Sequence, residues 1–487
     1  MKKQIILFAL AAAAYQTALA QSPPVLTWIT NSSVKLEQNI GDVDWATGSN
    51  TTSRTISRFN IVGTDLGCSF VSGTNLLFFF GDTIGSNVDY HAEDMFAWST
   101  TSNGTQGLLL NFFTNGPAGT NLFVNPPGIS MGADDTPNAG ISISNIIYLV
   151  CNTGANTAIT NNPHTNDYSV LVTFNQTNLT FQTNRTISVV TNGGLFIYDA
   201  LHLFGTNVVM FGAGKYRASD VYLAMTPAAT FLSGAGTLYF TGLTNGQPTW
   251  SAIETDAVPV VQDNPTNGPP WPNDSPSVGN VSVMYSAPLA LWLMTYDGGR
   301  SANSSKLHTT GIYFTSAAQP WGPWTTPQLI YNAIRDGGEG VYIYDASNNT
   351  GPAGPTINPS SNNPTNTPGG VYAPYLIEPF TTVSNSALYI YYVMSTWNPY
   401  TNIKMVSAFD IEPVIGSPVH TKTNFTFSWF APTNESYQID YSTNLLSAWK
   451  TLTNIVSSSN GTFNFTDNGT NSGGFGTNKF YRLRTTQ

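Results

Sequence analysis

Two aspartates carry the strongest chemical signal in the chain, one in Gly63-Thr-Asp-Leu-Gly67 and one in Phe80-Gly-Asp-Thr83. Between them, Gly73-Thr74 suits a two-residue hairpin turn with glycine at the first central position. Ser72 then faces Asn75, and the same register carried down the ladder sets Asp65 opposite Asp82. Opposed residues on one face of such a pair have Cβ atoms about 4.5–5.5 Å apart. Like charges that close are destabilising, so a fold keeps the pair only against some compensation. Their shared field drives the two pKa values apart, letting one carboxyl hold a proton while the other stays ionised. Glycoside hydrolysis needs that division, since one group protonates the leaving oxygen while the other activates water or attacks the sugar. Carboxyls splayed around a substrate leave room for water, which favours inversion over retention. The plainer reading is that each Asp caps its own turn, and a β-bulge would break the register.

Further acids repeat the pattern. A Ser144-Asn145 turn sets Asp135 opposite Gly154, and a Gly205-Thr206 turn sets Asp199 opposite Gly212. Asp65, Asp135 and Asp199 would then head successive inner strands at one end of a central funnel, the last two as substrate contacts. Arg217 and Ser219, in Lys215-Tyr-Arg-Ala-Ser-Asp220, would bind sugar hydroxyls or else pair with Asp220. Sugars pack their apolar faces on aromatic rings while fixed polar groups read their hydroxyls. Trp271, Trp397 and Tyr400 sit beside expected loops and suit that purpose, Trp271 as a lid between prolines. Pro320-Trp-Gly-Pro-Trp324 is expected to pack between blades; Glu93-Asp94 is a secondary acidic group on the first blade, able to supply an acid but expected in a solvated loop. The five histidines lack metal-ligand spacing, and Asp42-Val-Asp44 falls well short of a calcium loop. No phosphate-cradling glycine loop or nucleophile elbow occurs. No metal and no cofactor is expected.

The elements that must position these residues read as β throughout. A short β-rich run, a turn and a second aromatic-rich run recur five times: Thr64–Val71 with Leu76–Thr83, Thr136–Ile143 with Ile146–Asn152, Phe196–Phe204 with Val208–Gly214, Val278–Tyr285 with Leu291–Tyr296, and Val371–Thr381 with Leu388–Ser395. Units that bury one face only when stacked radially predict an all-β, five-bladed β-propeller over residues 55–415. A two-sheet sandwich is the alternative, though its strands are usually spaced more evenly. The Pro/Asn-rich stretches Asp263–Pro276 and Asn348–Gly370 read as surface loops. Over 419–487 the period-two alternation of Phe425-Thr-Phe-Ser-Trp429 and Tyr437-Gln-Ile-Asp-Tyr441 predicts a small fibronectin-like β-sandwich, a spacer or attachment module.

Composition narrows the partners. The 487 residues carry 17 Lys+Arg against 27 Asp+Glu, a net charge of −10, and 41% are hydrophobic. An acidic chain with few cations neutralises neither a phosphate backbone nor an anionic membrane surface, so nucleic acid and membrane are poor partners. Residues 1–20 form an export signal: Lys2 and Lys3, an apolar Ile5–Ala14 too short to span a bilayer, and an Ala18-Leu19-Ala20 cleavage site. Residues 21–54 are an N-terminal extension. The expected location is outside the cytoplasm, secreted or periplasmic, without membrane insertion. Cys68 and Cys151 would either pair in that oxidising compartment or serve as small buried hydrophobes.

Gly63-Thr-Asp-Leu-Gly67 followed by Phe80-Gly-Asp-Thr83 resembles the opening of the endo-D-arabinanase glycoside hydrolases, first catalogued as the domain of unknown function 4185 family. Tyr216-Arg-Ala-Ser219, Val221-Tyr-Leu-Ala224, Leu291-Trp-Leu-Met-Thr-Tyr296, Pro320-Trp-Gly-Pro-Trp324 and Ser395-Thr-Trp-Asn-Pro-Tyr400 are similar as well, in the same order, over residues 55–412. The resemblance implies a five-bladed propeller that cleaves arabinofuranosyl linkages, with catalytic carboxylates at Asp65 and Asp82. The expectation is an exported hydrolase of furanosidic polysaccharide, with a non-catalytic glycan-binding propeller at the cell surface as the alternative.

Overall fold

The computed structural model describes residues 23–485 apart from 86–88, 116–119, 155–163, 165, 264–276, 299–310, 357–368, 385, 434, 445–447, 454–455, 460 and 476–478. The export signal and Trp271 therefore lie outside the described residues.

Two short strands, β1 (Val25–Trp28) and β2 (Val34–Gln38), come first. Blade 1 is β3 (Ile61–Ser72), β4 (Asn75–Gly85), β5 (Asp89–Ser99) and β6 (Asn111–Phe112) in that order, followed by a small ribbon of β7 (Thr114–Asn115) and β8 (Thr120–Asn121). Blade 2 runs β9 (Pro137–Ile143), β10 (Ile146–Thr153), β11 (Tyr168–Asn175) and β12 (Thr180–Val189). Blade 3 runs β13 (Tyr198–Phe204), β14 (Asn207–Ala213), β15 (Val221–Pro227), β16 (Leu238–Thr244) and β17 (Gln247–Ser251). Blade 4 runs β18 (Val281–Ser286), β19 (Leu291–Gly298), β20 (Gly311–Ala317) and β21 (Gln328–Tyr331). Blade 5 is built on β22 (Val371–Leu376), β23 (Thr382–Ser384), β24 (Ala387–Thr396) and β25 (Thr401–Glu412).

The first strand of each blade lies innermost. β3 packs beside β9, β9 beside β13, β13 beside β18, β18 beside β22, and β22 returns to β3. That closed ring is a five-bladed propeller. The ring is fastened by its beginning: β1 and β2 both pair with β25, Val25 facing Glu412 and Val34 facing Val406. The stretch read as an N-terminal extension thus supplies the outer strands of blade 5.

The apolar runs follow from this stacking. A middle strand is covered on both faces, so β4 carries the unbroken Leu76-Leu-Phe-Phe-Phe80, all buried, instead of an alternating pattern. Phe79 stacks on Phe70 at 5.9 Å and on Phe96 at 5.5 Å. Trp324 meets Phe211 edge-on at 5.6 Å, packing blade 4 on blade 3 as the proline-flanked motif suggested. Cys68 and Cys151 are both buried as free thiols in the core shared by blades 1 and 2.

After the ring, β26 (Gly416–His420), β27 (Phe425–Phe430) and β31 (Thr462–Asp467) form one sheet. A second is made by β28 (Ser436–Ser442) with β29 (Lys450–Thr451), β30 (Val456–Ser457) and β32 (Phe480–Thr485). Phe427, Trp429, Tyr437, Ile439 and Phe463 fill the space between them, completing a small sandwich. Its Glu435 carboxylate accepts hydrogen bonds from the Ser386 N–H (2.8 Å) and hydroxyl (2.7 Å), fixing the module to blade 5.

Candidate active site

The hairpin of blade 1 keeps the expected register from Ser72↔Asn75 to Cys68↔Phe79 and then departs from it. Leu66 (φ 57°) and Gly67 (φ 96°) both adopt left-handed backbone, and the ladder resumes as Leu66↔Phe80 and Thr64↔Thr83. Asp65 therefore sits in a bulge and is not the direct partner of Asp82. The two carboxyls remain neighbours because Gly81 has no side chain: a Cβ there would overlap the Asp65 carboxyl. Asp82 is paired instead with Asp94 across β4 and β5. Asp94, expected in a solvated loop, is 0% exposed, because it lies on a middle strand under the blade 2 side of the core.

Three carboxyls thus lie buried within reach of one another's charge, and their environments differ. Asp65 is 8% exposed and accepts a 2.8 Å hydrogen bond from the Tyr372 hydroxyl of blade 5. Burial pushes its pKa up to about 7, against the pull of Tyr372 and of the Tyr400 hydroxyl beside it. Asp82 is 6% exposed and accepts a 3.2 Å bond from the Asp134 N–H. Burial and then the Asp65 charge hold it well above the ordinary carboxylate range. Among the described residues neither oxygen of Asp94 has a hydrogen-bond partner, and burial, then Asp82, raise it well above that range too. A buried carboxyl without donors or cations is cheaper neutral than charged. Burial and mutual repulsion thus favour the neutral form at all three positions, while the Tyr372 hydroxyl draws Asp65 back toward its charged form.

The other expected contacts scatter. Asp135 precedes β9, where a bulge at Val150–Cys151 shifts the register so that it does not face Gly154. It closes a turn, donating its N–H to the Gly132 carbonyl at 2.9 Å, and adds to the field on Asp82. Asp199 does pair with Gly212, but it does not join the Asp65 group. Its carboxyl is buried with Arg185 of blade 2 and Glu254 as its charged neighbours, and burial raises its pKa well above the ordinary range. Asp199 lines, with inner-strand residues such as Ser69, Asn138 and Tyr375, a cavity to which neither Asp65 nor Asp82 contributes.

Arg217 pairs with Asp297 of blade 4 at 3.5 Å, not with Asp220, and lies over the rings of Tyr216 (4.7 Å) and Tyr372 (5.5 Å). The Ser219 hydroxyl is occupied locally, accepting from the Gly214 N–H (2.8 Å) and donating to the Asp220 carbonyl (2.9 Å). It locks a turn and has no hydroxyl proton left for a sugar. Tyr400 is fully buried, so its ring is no platform; its hydroxyl backs Asp65 instead. Trp397 is 38% exposed, set edge-on to Tyr372 and Tyr400 at 6.0 Å each, and presents an open ring beside the acids.

Sequence reasoning named Asp94 only as a secondary acid in a solvated loop, and missed Tyr372 and a trio formed by His164, Asp167 and Tyr198. Asp94 was within reach, since the apolar run Met95-Phe-Ala97 after it marks a third buried strand. Nothing local marks Tyr372, whose partner Asp65 is distant in the chain, or Tyr198, which lies 31 residues from Asp167; His164 and Asp167 are only three apart.

Fold and site together define a five-bladed propeller with a buried acidic centre at the mouth of its first blade. Residues 50–406 match the family described as "Domain of unknown function (DUF4185)", and the chain belongs to it. No curated protein matches the chain. Similar solved structures include an α-L-arabinofuranosidase from Lactobacillus brevis (10% identity, 71% of this chain and 90% of that one, TM-score 0.40). Others are the GH43_1 enzyme from Xanthomonas citri (10%, 81% and 92%, TM-score 0.39) and the native arabinanase of Bacillus subtilis (10%, 71% and 96%, TM-score 0.36).

Proposed function

We propose that this protein is an exported glycoside hydrolase that cleaves furanosidic polysaccharide of the arabinan type, D-arabinan included. The observation that supports it is the unequal pair Asp65 and Asp82, adjacent through Gly81 and differing in proton affinity. Asp82, whose burial and acidic neighbours favour the protonated form, is the general acid: it gives its proton to the glycosidic oxygen as the C–O bond breaks. Asp65, ionised with Tyr372 bound to one oxygen, takes the proton of the water that attacks the anomeric carbon. Trp397 offers its ring to an apolar sugar face. The arabinofuranosyl preference rests on the motif resemblance, and export on the N-terminal signal.

Incubating the purified protein with arabinan and arabinogalactan and assaying released oligosaccharides tests the reading. Cleavage is expected, and Asp65→Asn and Asp82→Asn are each expected to lower kcat by at least ~10³ with folding intact, given that acid–base groups contribute about 10²–10⁴ apiece. Full activity in both variants would falsify the assignment. The exposed Trp397 would equally serve a non-catalytic glycan-binding propeller, which would bind the same oligosaccharides, release nothing, and tolerate both substitutions.

A further inference from the structure

A histidine in blade 2 is held by a buried acid that the acid–base pair does not use. Asp167 is fully buried just before β11. One of its oxygens accepts from the Tyr198 hydroxyl at 2.6 Å and lies 2.9 Å from His164 Nδ1. Tyr198 Oη is itself 3.1 Å from that nitrogen, so the imidazole is pinned by two groups on one edge. An acid on Nδ1 draws the ring proton there and leaves Nε2, at the opposite edge, with a free lone pair. The His164 side chain keeps 15% of its surface, while Asp167 beside its Nδ1 is fully buried.

The trio belongs to the same mouth as the acids. The His164 ring lies 4.9 Å from Tyr216, Arg217 covers Tyr216 and Tyr372, and Tyr372 donates to Asp65. On the other side Tyr198 feels the charge of Asp134, whose N–H binds Asp82. Contacts therefore run from His164 to both acids around the rim, without any of the trio touching them.

We propose that His164, oriented by Asp167 and Tyr198, is a substrate-binding residue whose Nε2 accepts a hydrogen bond from a hydroxyl of the sugar unit beside the scissile bond. This rests on the hydrolase reading and adds to it a group that grips a neutral polyol. His164 is a binding residue; Asp167 and Tyr198 are positioning residues. Such a contact is worth about tenfold in affinity, the usual effect of one hydrogen bond.

The test measures calorimetric binding of an arabino-oligosaccharide to the Asp82→Asn protein, with and without His164→Phe or Asp167→Asn. The phenyl ring keeps the packing on Tyr216 and removes the nitrogen. Affinity is expected to fall about tenfold in both, and the same changes on the active background are expected to raise KM while kcat stays within about twofold. Should Asp167→Asn fail to fold, His164→Phe alone decides. Equal affinity with and without the His164 ring nitrogen overturns this assignment while leaving the hydrolase reading standing. An unmodified protein that neither binds nor cleaves the oligosaccharide overturns both.

Discussion

Asp65 and Asp82 are chemically identical side chains made unlike by what surrounds them. Asp65 has a phenol donating to it, which favours the charged form; Asp82 has a single amide and the acids Asp65, Asp134 and Asp135 near it, which oppose it. The consequence is a pH profile. kcat/KM should rise through a midpoint near 7 as Asp65 ionises, then fall at higher pH as Asp82 gives up its proton. Replacing Tyr372 by Phe removes a bond that favours the carboxylate, so the rising limb should move to higher pH by about one unit. A stopped-assay profile of both proteins checks this, and an unmoved limb would separate Tyr372 from the titration. The two acids were legible because each lies in a glycine-framed motif at hairpin spacing. The burial of Asp94 follows from its pairing with β4, and the apolar Met95-Phe-Ala97 after it is the local sign of that strand.

Hairpin register and bulge explain how far the element scale could be read. Gly73-Thr74 fixed the ladder correctly down to Cys68↔Phe79, since a two-residue turn leaves one way to pair the strands that follow. The bulge beyond it includes Leu66, a branched residue in left-handed backbone that nothing in its type foretells. Two glycines make the arrangement possible. A Cβ on Gly81 would meet Leu66 and the Asp65 carboxyl, so Gly81→Ala should lower kcat at least about tenfold with a smaller effect on melting. At Gly67, φ is 96° and a Cβ would stand 3.1 Å from Asn402 and 3.2 Å from Phe80 and Val393. Gly67→Ala should therefore cost on the order of 1–3 kcal/mol, read as a lowered denaturation midpoint. A silent Gly81→Ala, in activity and in Tm, would mean the carboxyls do not depend on that gap.

For the molecule as a whole, the five-unit repeat was readable because each blade needs two aromatic strands of its own. Its closure was not: Val34-Lys-Leu-Glu-Gln38 is a short polar strand whose partner lies some 370 positions away, with no local trace of the pairing. Buried acids also set how the fold responds to pH. Asp65, Asp82, Asp94 and Asp199 all have raised folded pKa values, so the native state holds protons that the unfolded chain releases. Stability must then decline as pH climbs from the ordinary carboxylate range toward the folded values. Asp199→Asn, remote from the mouth, should raise Tm more at pH 8 than at pH 4 and leave turnover unchanged; an equal gain at both would deny that its carboxyl is protonated in the fold. The fastening of β1 and β2 onto β25 has a consequence for manufacture. Because the opening strands are completed only by the twelve residues Thr401–Glu412, a polypeptide broken off early keeps an unsealed seam at which proteases can start. The fold thereby inspects its own length, and only a finished propeller is durable.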